Sequence, residues 1–253
     1  IVKKIIYKNE IVKKIENQQE AIIILNQTTF YGESGGQIGD SGTIFNENFI
    51  FNVIDTKKIF GNYFLHYGKI LKGKCSINDQ VTTNTDSKKR NLIKNNHSCT
   101  HLLHASLRKI LGKHVSQKGS LVSSEKIRFD FNHNEVISDE NIYKIEKLVN
   151  EIIIQSFDVI IEILDHDKAI KSGAMALFGE KYGNEVRVIS MGKFNNEFFS
   201  TELCGGTHVS NTKQIEKFKI INQTSIASGV RRIEAVTNIQ VDKFNKLEKI
   251  KNT

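Results

Sequence analysis

The chain has 253 residues, 39% of them hydrophobic and 25% charged, which is ordinary for a globular protein and allows one large or two modest domains. No apolar stretch approaches the roughly 18 residues of a membrane span. The three cysteines are few and odd in number, which argues against a disulfide framework and favours a reducing, cytoplasmic compartment. The net charge of +8 moderately favours a polyanionic partner such as nucleic acid.

The first third of the chain is predicted to form mostly strands. Turn residues separate its short apolar runs, which lie at 5–7, 21–25, 49–54 and 63–66. Several short strands at this spacing are typical of a small barrel or sandwich. A glycine-rich loop at 31–40 interrupts the pattern. We therefore predict an all-β, barrel-like N-terminal subdomain over residues 1–85.

The pattern changes to mixed helix and strand near Asp86. Asp86 or Ser87 can cap a long helix that runs to about Leu111, with Gly112 at its end. Two more helices are predicted for 139–156 and 167–177, and further strands for 115–122, 126–131, 159–164 (as a buried strand), 186–190, 217–222 and 230–236. The predicted fold class is thus α+β. The barrel-like subdomain precedes a two-layer α/β core over 86–238, and a charged helix over 239–253 starts a connector.

Two motifs about a hundred residues apart carry the residue types that bind metals. His97 and His101 are four residues apart, and so are Cys204 and His208. Three imidazoles and one thiolate make a complete tetrahedral set for one Zn²⁺. On a helix His104 falls on the same stripe as His97 and His101, so a three-histidine site is an alternative. Four protein ligands are typical of structural zinc, and three with a water of catalytic zinc; the sequence allows both.

The same helical geometry separates the two residues between these histidines. Cys99 points away from the histidine stripe, which makes it a poor ligand for the same metal. Thr100 lies beside the histidines, with its hydroxyl directed toward whatever the metal binds. A threonine in that place could hydrogen-bond a polar group of a substrate.

Five motifs, in order, resemble those of the alanyl-tRNA synthetase editing domain. Residues 97–104 (HSCTHLLH) resemble the first zinc motif, and 201–208 (TELCGGTH) resemble the second. Residues 30–40 (FYGESGGQIGD) are similar to the glycine-rich signature, and 173–188 and 228–235 to later blocks. Free-standing alanyl-tRNA editing proteins share this domain. Because the chain starts at Ile1 without Met, we expect a piece of a synthetase whose ATP-binding aminoacylation domain and C-terminal domain lie outside it.

This resemblance implies an aminoacyl-tRNA ester hydrolase that removes serine or glycine from mischarged tRNA(Ala) with one Zn²⁺. It implies metal ligation by His97, His101, Cys204 and His208. Thr100 and Gln117 are the expected catalytic or substrate-discriminating residues. Contacts with tRNA or substrate are expected from Gly35, Gly36, Gln37, Arg231 and Arg232. Arg231 and Arg232 alternate along a strand, so only one of them is expected to face the RNA.

Two other classes of function fit part of the sequence. A non-catalytic tRNA-binding module with a structural zinc would explain the charge and the metal ligands. A zinc hydrolase acting on a small molecule is a third possibility. No membrane partner is predicted.

Overall fold

A computed structural model describes residues 1–176, 183–195 and 197–251. Packing divides the chain into two compact units, Ile1–Arg90 and Asn91–Thr253. The predicted boundaries at 85/86 and 238/239 follow changes of sequence pattern and remain predictions about domains. The observed class is mixed α and β with antiparallel sheets, in agreement with the α+β prediction.

The first unit is built on one large antiparallel sheet. Its strands are β1 (Val2–Tyr7), β2 (Glu10–Val12), β3 (Lys14–Glu16), β4 (Glu20–Leu25), β5 (Gly42–Phe45), β6 (Phe49–Ile59), β7 (Tyr63–Ser76) and β8 (Thr82–Thr85). The sheet order is β2-β1-β4-β7-β6-β5-β8, with β3 paired to β7. Alternate residues of β6, namely Phe49, Phe51 and Val53, are buried, so one face of the sheet carries the core. Because this order has two ends, closure into a barrel remains a prediction.

The second unit combines helices with two smaller sheets. Its elements are α1 (Ser87–Leu111, which begins in the first unit), β9 (Gln117–Val122), β10 (Ile127–Asn132), α2 (Asp139–Ile154), β11 (Ile160–Asp165), α3 (His166–Lys171), β12 (Glu185–Phe194), β13 (Glu197–Leu203), a 3-10 helix (Thr212–Ile215), β14 (Phe218–Ala227), β15 (Val230–Thr237) and α4 (Ile239–Lys251). One sheet has the order β14-β15-β10-β9 and the other β11-β12-β13. The larger hydrophobic core joins α1 and α2 to residues of both sheets, and a smaller cluster lies between α3 and the β12–β13 pair.

Helix α1 has the bounds that its local signals predict. The Asp86 carboxylate accepts a hydrogen bond from the Lys89 N–H at 3.0 Å, and Gly112 ends the helix with φ of +121°. Every residue from 95 to 107 is buried, including the polar ones. A helix buried on all sides must satisfy its polar side chains inside the protein, and this requirement places the candidate site. No helix in the described ranges is long and apolar enough to cross a membrane.

Three sequence predictions need correction or completion. The strand predicted as buried at 159–164 is β11, an edge strand whose Ile163 is 71% exposed; an apolar run does not reveal whether a neighbouring layer covers it. The helix predicted for 139–156 ends at Ile154. The short helix predicted for 167–177 is α3 and ends at Lys171; its predicted end, and part of the 173–188 motif, fall outside the described residues.

Candidate metal centre

Four side chains from two elements of the second unit converge in a buried group that could bind a metal ion. The potential ligand atoms of His97, His101, Cys204 and His208 all lie within 4.8 Å of one another. The Cys204 Sγ is 3.4 Å from the His97 Nε2 and 3.3 Å from the His208 Nε2. Zinc bonds of about 2.3 Å to sulfur and 2.0–2.1 Å to nitrogen, at tetrahedral angles, would place such atoms roughly 3.5 Å apart. The spacing of the donors therefore suits one metal ion of this size.

Helix α1 supplies the first pair of donors. His97 and His101 are one helical turn apart, so both imidazoles project from the same face. Cys99 is fully buried in the hydrophobic core, and burial raises its thiol pKa well above the ordinary value. His104 is not a member of the donor group formed by the described residues.

The second pair comes from the turn that follows β13. Cys204 comes directly after the strand, and the Gly206 N–H donates to its Sγ at 3.4 Å. The Arg187 guanidinium on the neighbouring β12 donates to the carbonyl oxygens of Cys204 and Gly206 at 3.0 and 2.6 Å. Arg187 thus fixes the backbone of the turn that carries two donors. Arg187 was not predicted from the sequence, because a separation of 17 residues from Cys204 matches no helix or strand periodicity.

A buried serine joins the two motifs. The Ser98 Oγ accepts a hydrogen bond from the Val209 N–H at 3.1 Å and lies 3.2 Å from the His208 Nδ1. His208 can therefore turn its Nε2 toward Cys204 while its other ring nitrogen is held by Ser98. Outer hydrogen bonds of this kind fix the orientation of metal-binding histidines.

The Glu202 carboxylate contacts two histidines of helix α1. It is 3% exposed and precedes Cys204 by two residues on β13. One of its oxygens lies 3.0 Å from the His104 Nδ1, and the other lies 3.6 Å from the His101 Nδ1. The Nδ1 of His101 lacks any closer partner among the described residues. The carboxylate is therefore placed to orient the Nε2 of His101 toward the other donors.

Protonation in the metal-free protein leaves the three imidazole donors in their binding form. Burial, reinforced by His101, lowers the pKa of His97 to about 3. Burial likewise lowers the pKa of His101, and lowers that of His208 well below its ordinary value. Burial acts to raise the pKa of Glu202, but His101 and His104 together outweigh it and lower that pKa. Neutral imidazoles are the form that binds metals.

Charge balance also favours a divalent cation. No lysine or arginine in the described parts of the chain forms an ion pair with the buried Glu202 carboxylate. The ion-pair partners of this carboxylate are His101 and His104. A divalent metal and the Cys204 thiolate together carry one positive charge, which Glu202 would neutralise. The donor set and its surroundings therefore fit a metal ion.

Thr100 and Gln117 occupy places compatible with the predicted substrate contacts. Thr100 is 4% exposed, and its Oγ1 donates to the Asn96 carbonyl oxygen at 2.9 Å, which leaves the oxygen lone pairs free to accept.

Gln117 is half-buried at the start of β9 and stands opposite Phe131 of β10. Residues paired across antiparallel strands share a face of the sheet. Gln117 therefore lies on the face of Phe131 and Phe129, and the ring of Phe129 contacts the ring of His104 on α1.

The two arginines face opposite sides of the sheet, as the alternation predicted. The Arg232 guanidinium donates to Asp130 at 2.7 and 2.8 Å, so it is used in an ion pair. Arg231 is only 8% exposed and stands opposite Phe131, on the face that packs against α1.

The predicted glycine-rich contact loop lies in the first unit and forms a tight turn. Ser34 and Gln37 exchange backbone hydrogen bonds at 3.2 and 3.0 Å around Gly35 and Gly36, whose φ values are +57° and +81°. Two left-handed residues in succession make the turn that favours glycine. Gln37 is fully buried and its N–H is used within the turn. Gly35 and Gly36 are thus the surface-accessible part of this prediction.

Known proteins that resemble this chain are tRNA synthetases. Residues 1–89 match the family of class II (A) tRNA synthetases, and residues 186–234 match the threonyl and alanyl tRNA synthetase second additional domain. The second match begins on β12 and ends on β15, so it contains Arg187, Glu202 and the Cys204–His208 turn. Both matches are therefore to families described as tRNA synthetases or as a domain of them.

The more particular resemblance is to alanine–tRNA ligases. The alanine–tRNA ligase of Clostridioides difficile (strain 630) is 48% identical over 242 residues, which is 96% of this chain and 27% of the relative. Those of Chelativorans sp. (strain BNC1) and Nitrosomonas europaea are 47% and 49% identical, over 89% and 88% of this chain and 26% and 25% of the relatives. This chain is a relative of the alanine–tRNA ligases, as its motifs predicted, and it spans about a quarter of their length.

Proposed function

We propose that this chain hydrolyses the ester bond of mischarged seryl-tRNA(Ala) and glycyl-tRNA(Ala), as the proofreading part of an alanine–tRNA ligase. The observation that carries the proposal is the buried group of His97, His101, Cys204 and His208, with Thr100 on the same helix. An alanine pocket cannot strongly reject glycine, which is smaller, or an analogue that adds a hydroxyl. A second site that clears such errors is therefore chemically needed.

Zinc is the metal proposed for this centre. Three imidazoles and one thiolate are nitrogen and sulfur donors typical of tetrahedral zinc, whereas magnesium and calcium prefer oxygen. When bound, zinc would polarise the ester carbonyl or lower the pKa of a water molecule. The second of these roles requires one protein donor to give way to water, because a four-donor centre is closed.

Thr100 is proposed to recognise the serine hydroxyl. Its own proton is used on the Asn96 carbonyl oxygen, so its Oγ1 acts as an acceptor for the hydroxyl that serine has and alanine lacks. Gln117 is proposed to hydrogen-bond the substrate or water from the facing sheet. Gly35, Gly36, Gln37, Arg231 and Arg232 were predicted as tRNA contacts. The exposed turn at Gly35 and Gly36 suits such a contact, and so does Arg231, which has no ion-pair partner among the described residues. The ion pair of Arg232 and the burial of Gln37 favour structural roles.

The decisive experiment compares deacylation of seryl-tRNA(Ala) and alanyl-tRNA(Ala) by the zinc-loaded protein, with and without a chelator. Selective release of serine that stops with chelator and returns with zinc supports the proposal. Thr100→Val should reduce the preference for the seryl ester, and Thr100→Ser, which keeps the hydroxyl, should retain most of it. Equal hydrolysis of both esters by the unchanged protein would contradict the proposed proofreading role.

A non-catalytic tRNA-binding module with a structural metal is the second candidate. The specific observation in its favour is that all four donors come from the protein, which is typical of structural zinc. In that case folded, zinc-loaded protein would bind tRNA(Ala) without releasing serine. Cys204→Ala separates the two roles of the metal. Loss of hydrolysis with the fold retained indicates a direct role, and global unfolding indicates a structural one.

A further inference from the structure

The tip of the β6–β7 hairpin in the first unit displays aromatic rings that the fold itself does not bury. Phe60 is 89% exposed, and Tyr63 at the start of β7 is 55% exposed. Aromatic side chains stabilise a protein mainly through the area they bury, so an exposed ring contributes little to the fold. Neighbouring exposed apolar side chains are typical of interaction sites. The tip is therefore a candidate surface for a partner.

The backbone at Phe60 is also unfavourable for a large side chain. Its φ is +47°, and the following Gly61 has φ of +75°. The left-handed region suits glycine, asparagine or aspartate, whereas a bulky residue there is a genuine outlier. Strained residues of this kind are concentrated at ligand contacts and active sites. Exposure and strain thus agree that the Phe60 ring serves something other than the packing of this chain.

The charge of the hairpin indicates what kind of partner it fits. Residues 57–78 include five lysines and no aspartate or glutamate. Lys57 pairs with Glu33 of the glycine-rich loop at 3.8 Å, with both side chains about half exposed. Lys58 has no carboxylate partner among the described residues, and its Nζ lies 5.8 Å from the centre of the Phe64 ring. RNA supplies both phosphates for such lysines and planar bases for such rings.

The glycine-rich loop supports the base of this hairpin. The Glu33 N–H donates to the Thr56 carbonyl oxygen at 2.8 Å. A Cβ at Gly32 would lie 2.9 Å from the Lys58 Cβ and 3.0 Å from the Phe64 ring, so a side chain at this position would force the two segments apart. The hairpin therefore presents its rings from a fixed base, next to the exposed glycine turn of that loop.

We propose that Phe60 and Tyr63 form a stacking platform for an unpaired nucleotide of the RNA substrate, with Lys58 contacting the adjacent phosphate. This proposal rests on the proposed function. Stacking on an aromatic ring tolerates any base, so the platform adds affinity for RNA without reading its sequence. The lysine adds a salt-dependent attraction to the backbone. None of the metal donors belongs to this platform.

The test measures fluorescence anisotropy of labelled RNA with the zinc-loaded protein. The probes are single-stranded oligoadenylate, the duplex it forms with oligouridylate, and tRNA(Ala). Phe60→Ala should weaken single-strand binding about fivefold or more, the loss expected for one stacked base, and should change duplex binding less than about twofold. Lys58→Ala should lower the slope of log affinity against log salt by about 0.7. Tyr143→Ala is the matched control, because Tyr143 is a 64% exposed aromatic residue of α2 in the second unit, and it should have no effect on either probe.

Phe60→Asn separates RNA binding from folding. Asparagine tolerates the left-handed conformation, so the Tm of this variant should equal or exceed that of the unchanged protein. Its single-strand affinity should nevertheless fall as in Phe60→Ala, because the ring is lost. A merely structural role of Phe60 would give the reverse, namely a lower Tm and an unchanged affinity for RNA.

Several results would overturn the platform. These are unchanged single-strand affinity in both Phe60 variants, equal losses in Phe60→Ala and Tyr143→Ala, or equal losses for single strand and duplex. Self-association in sedimentation that Phe60→Ala abolishes, with RNA affinity unchanged, would assign the tip to a protein contact instead. Hydrolysis of seryl-tRNA(Ala) is measured separately. Binding of RNA through Phe60 without hydrolysis contradicts the proposed function alone, and hydrolysis with no effect of Phe60→Ala on RNA binding contradicts the platform alone.

Discussion

Replacing Glu202 with glutamine tests whether a buried carboxylate tunes the metal centre. The change keeps the size of the side chain but removes its charge. With a divalent metal and the Cys204 thiolate in place, the buried charge would rise from zero to +1. The 3.6 Å contact between the carboxylate and the His101 Nδ1 would also become an uncharged one. We therefore expect weaker metal binding with the fold retained.

The magnitude follows from what such outer contacts contribute. Removing a hydrogen-bonded carboxylate behind a metal ligand typically costs 10- to 100-fold in affinity, or about 1.4–2.7 kcal/mol. Because zinc binding stabilises the folded state, the stabilisation by zinc at a fixed free concentration falls by the same amount. For a chain of this size that corresponds to roughly 3–11 °C less zinc-induced rise in Tm.

The assay is the zinc dissociation constant from competition with a chromogenic chelator, together with thermal unfolding with and without zinc. Glu146→Gln is the matched control. Glu146 is a partly buried glutamate, and its carboxylate accepts a hydrogen bond from the Ile220 N–H at 2.7 Å and pairs with Lys219. That control should lower stability without changing zinc affinity. A dissociation constant of Glu202→Gln within twofold of the unchanged protein would refute the assigned role of Glu202.

Three further predictions concern the same unit. The metal-free protein should lose stability as the pH falls below about 6.5, because the unfolded chain then binds protons that the buried His97, with its pKa of about 3, does not bind. In urea unfolding between pH 7.5 and 5, the free energy of unfolding should fall by up to about 1.4 kcal/mol per pH unit for each such histidine, and a flat profile would contradict this. Arg187→Ala removes the hydrogen bonds to the turn that carries Cys204 and His208, so it should weaken zinc binding while it changes the Tm of the metal-free protein only slightly. An unchanged zinc affinity and an unchanged unfolding curve would show that these hydrogen bonds do not support the site. Asn96→Ala removes buried hydrogen bonds to the Ser123 carbonyl oxygen and the Thr237 hydroxyl and should cost about 2–4 kcal/mol in chemical denaturation, with less than 1 kcal/mol as the contrary result.

The sequence by itself determined the features that depend on local spacing. Helix α1 has both its predicted bounds, since a capping Asp86 and a terminal Gly112 act on neighbouring residues. The pairing of His97 with His101 on one face follows from the period of the helix. The opposite directions of Arg231 and Arg232 follow from the alternation of a strand. None of these required knowledge of what packs against the element.

Tertiary structure alone decided which groups complete the centre. Glu202 on β13 and Arg187 on β12 reach the centre from strands, and Ser98 of α1 reaches His208, which is 110 residues away in sequence. Such contacts leave no periodic signal in the sequence. His104 shares a stripe with His97 and His101, yet it pairs with Glu202, because the approach of β13 brings a carboxylate to that turn of the helix. The exposure of β11 likewise depends on its place at the edge of a sheet. Spacing along the chain therefore selects the candidate ligands, whereas the orientation of each ligand depends on contacts that form only when distant segments meet.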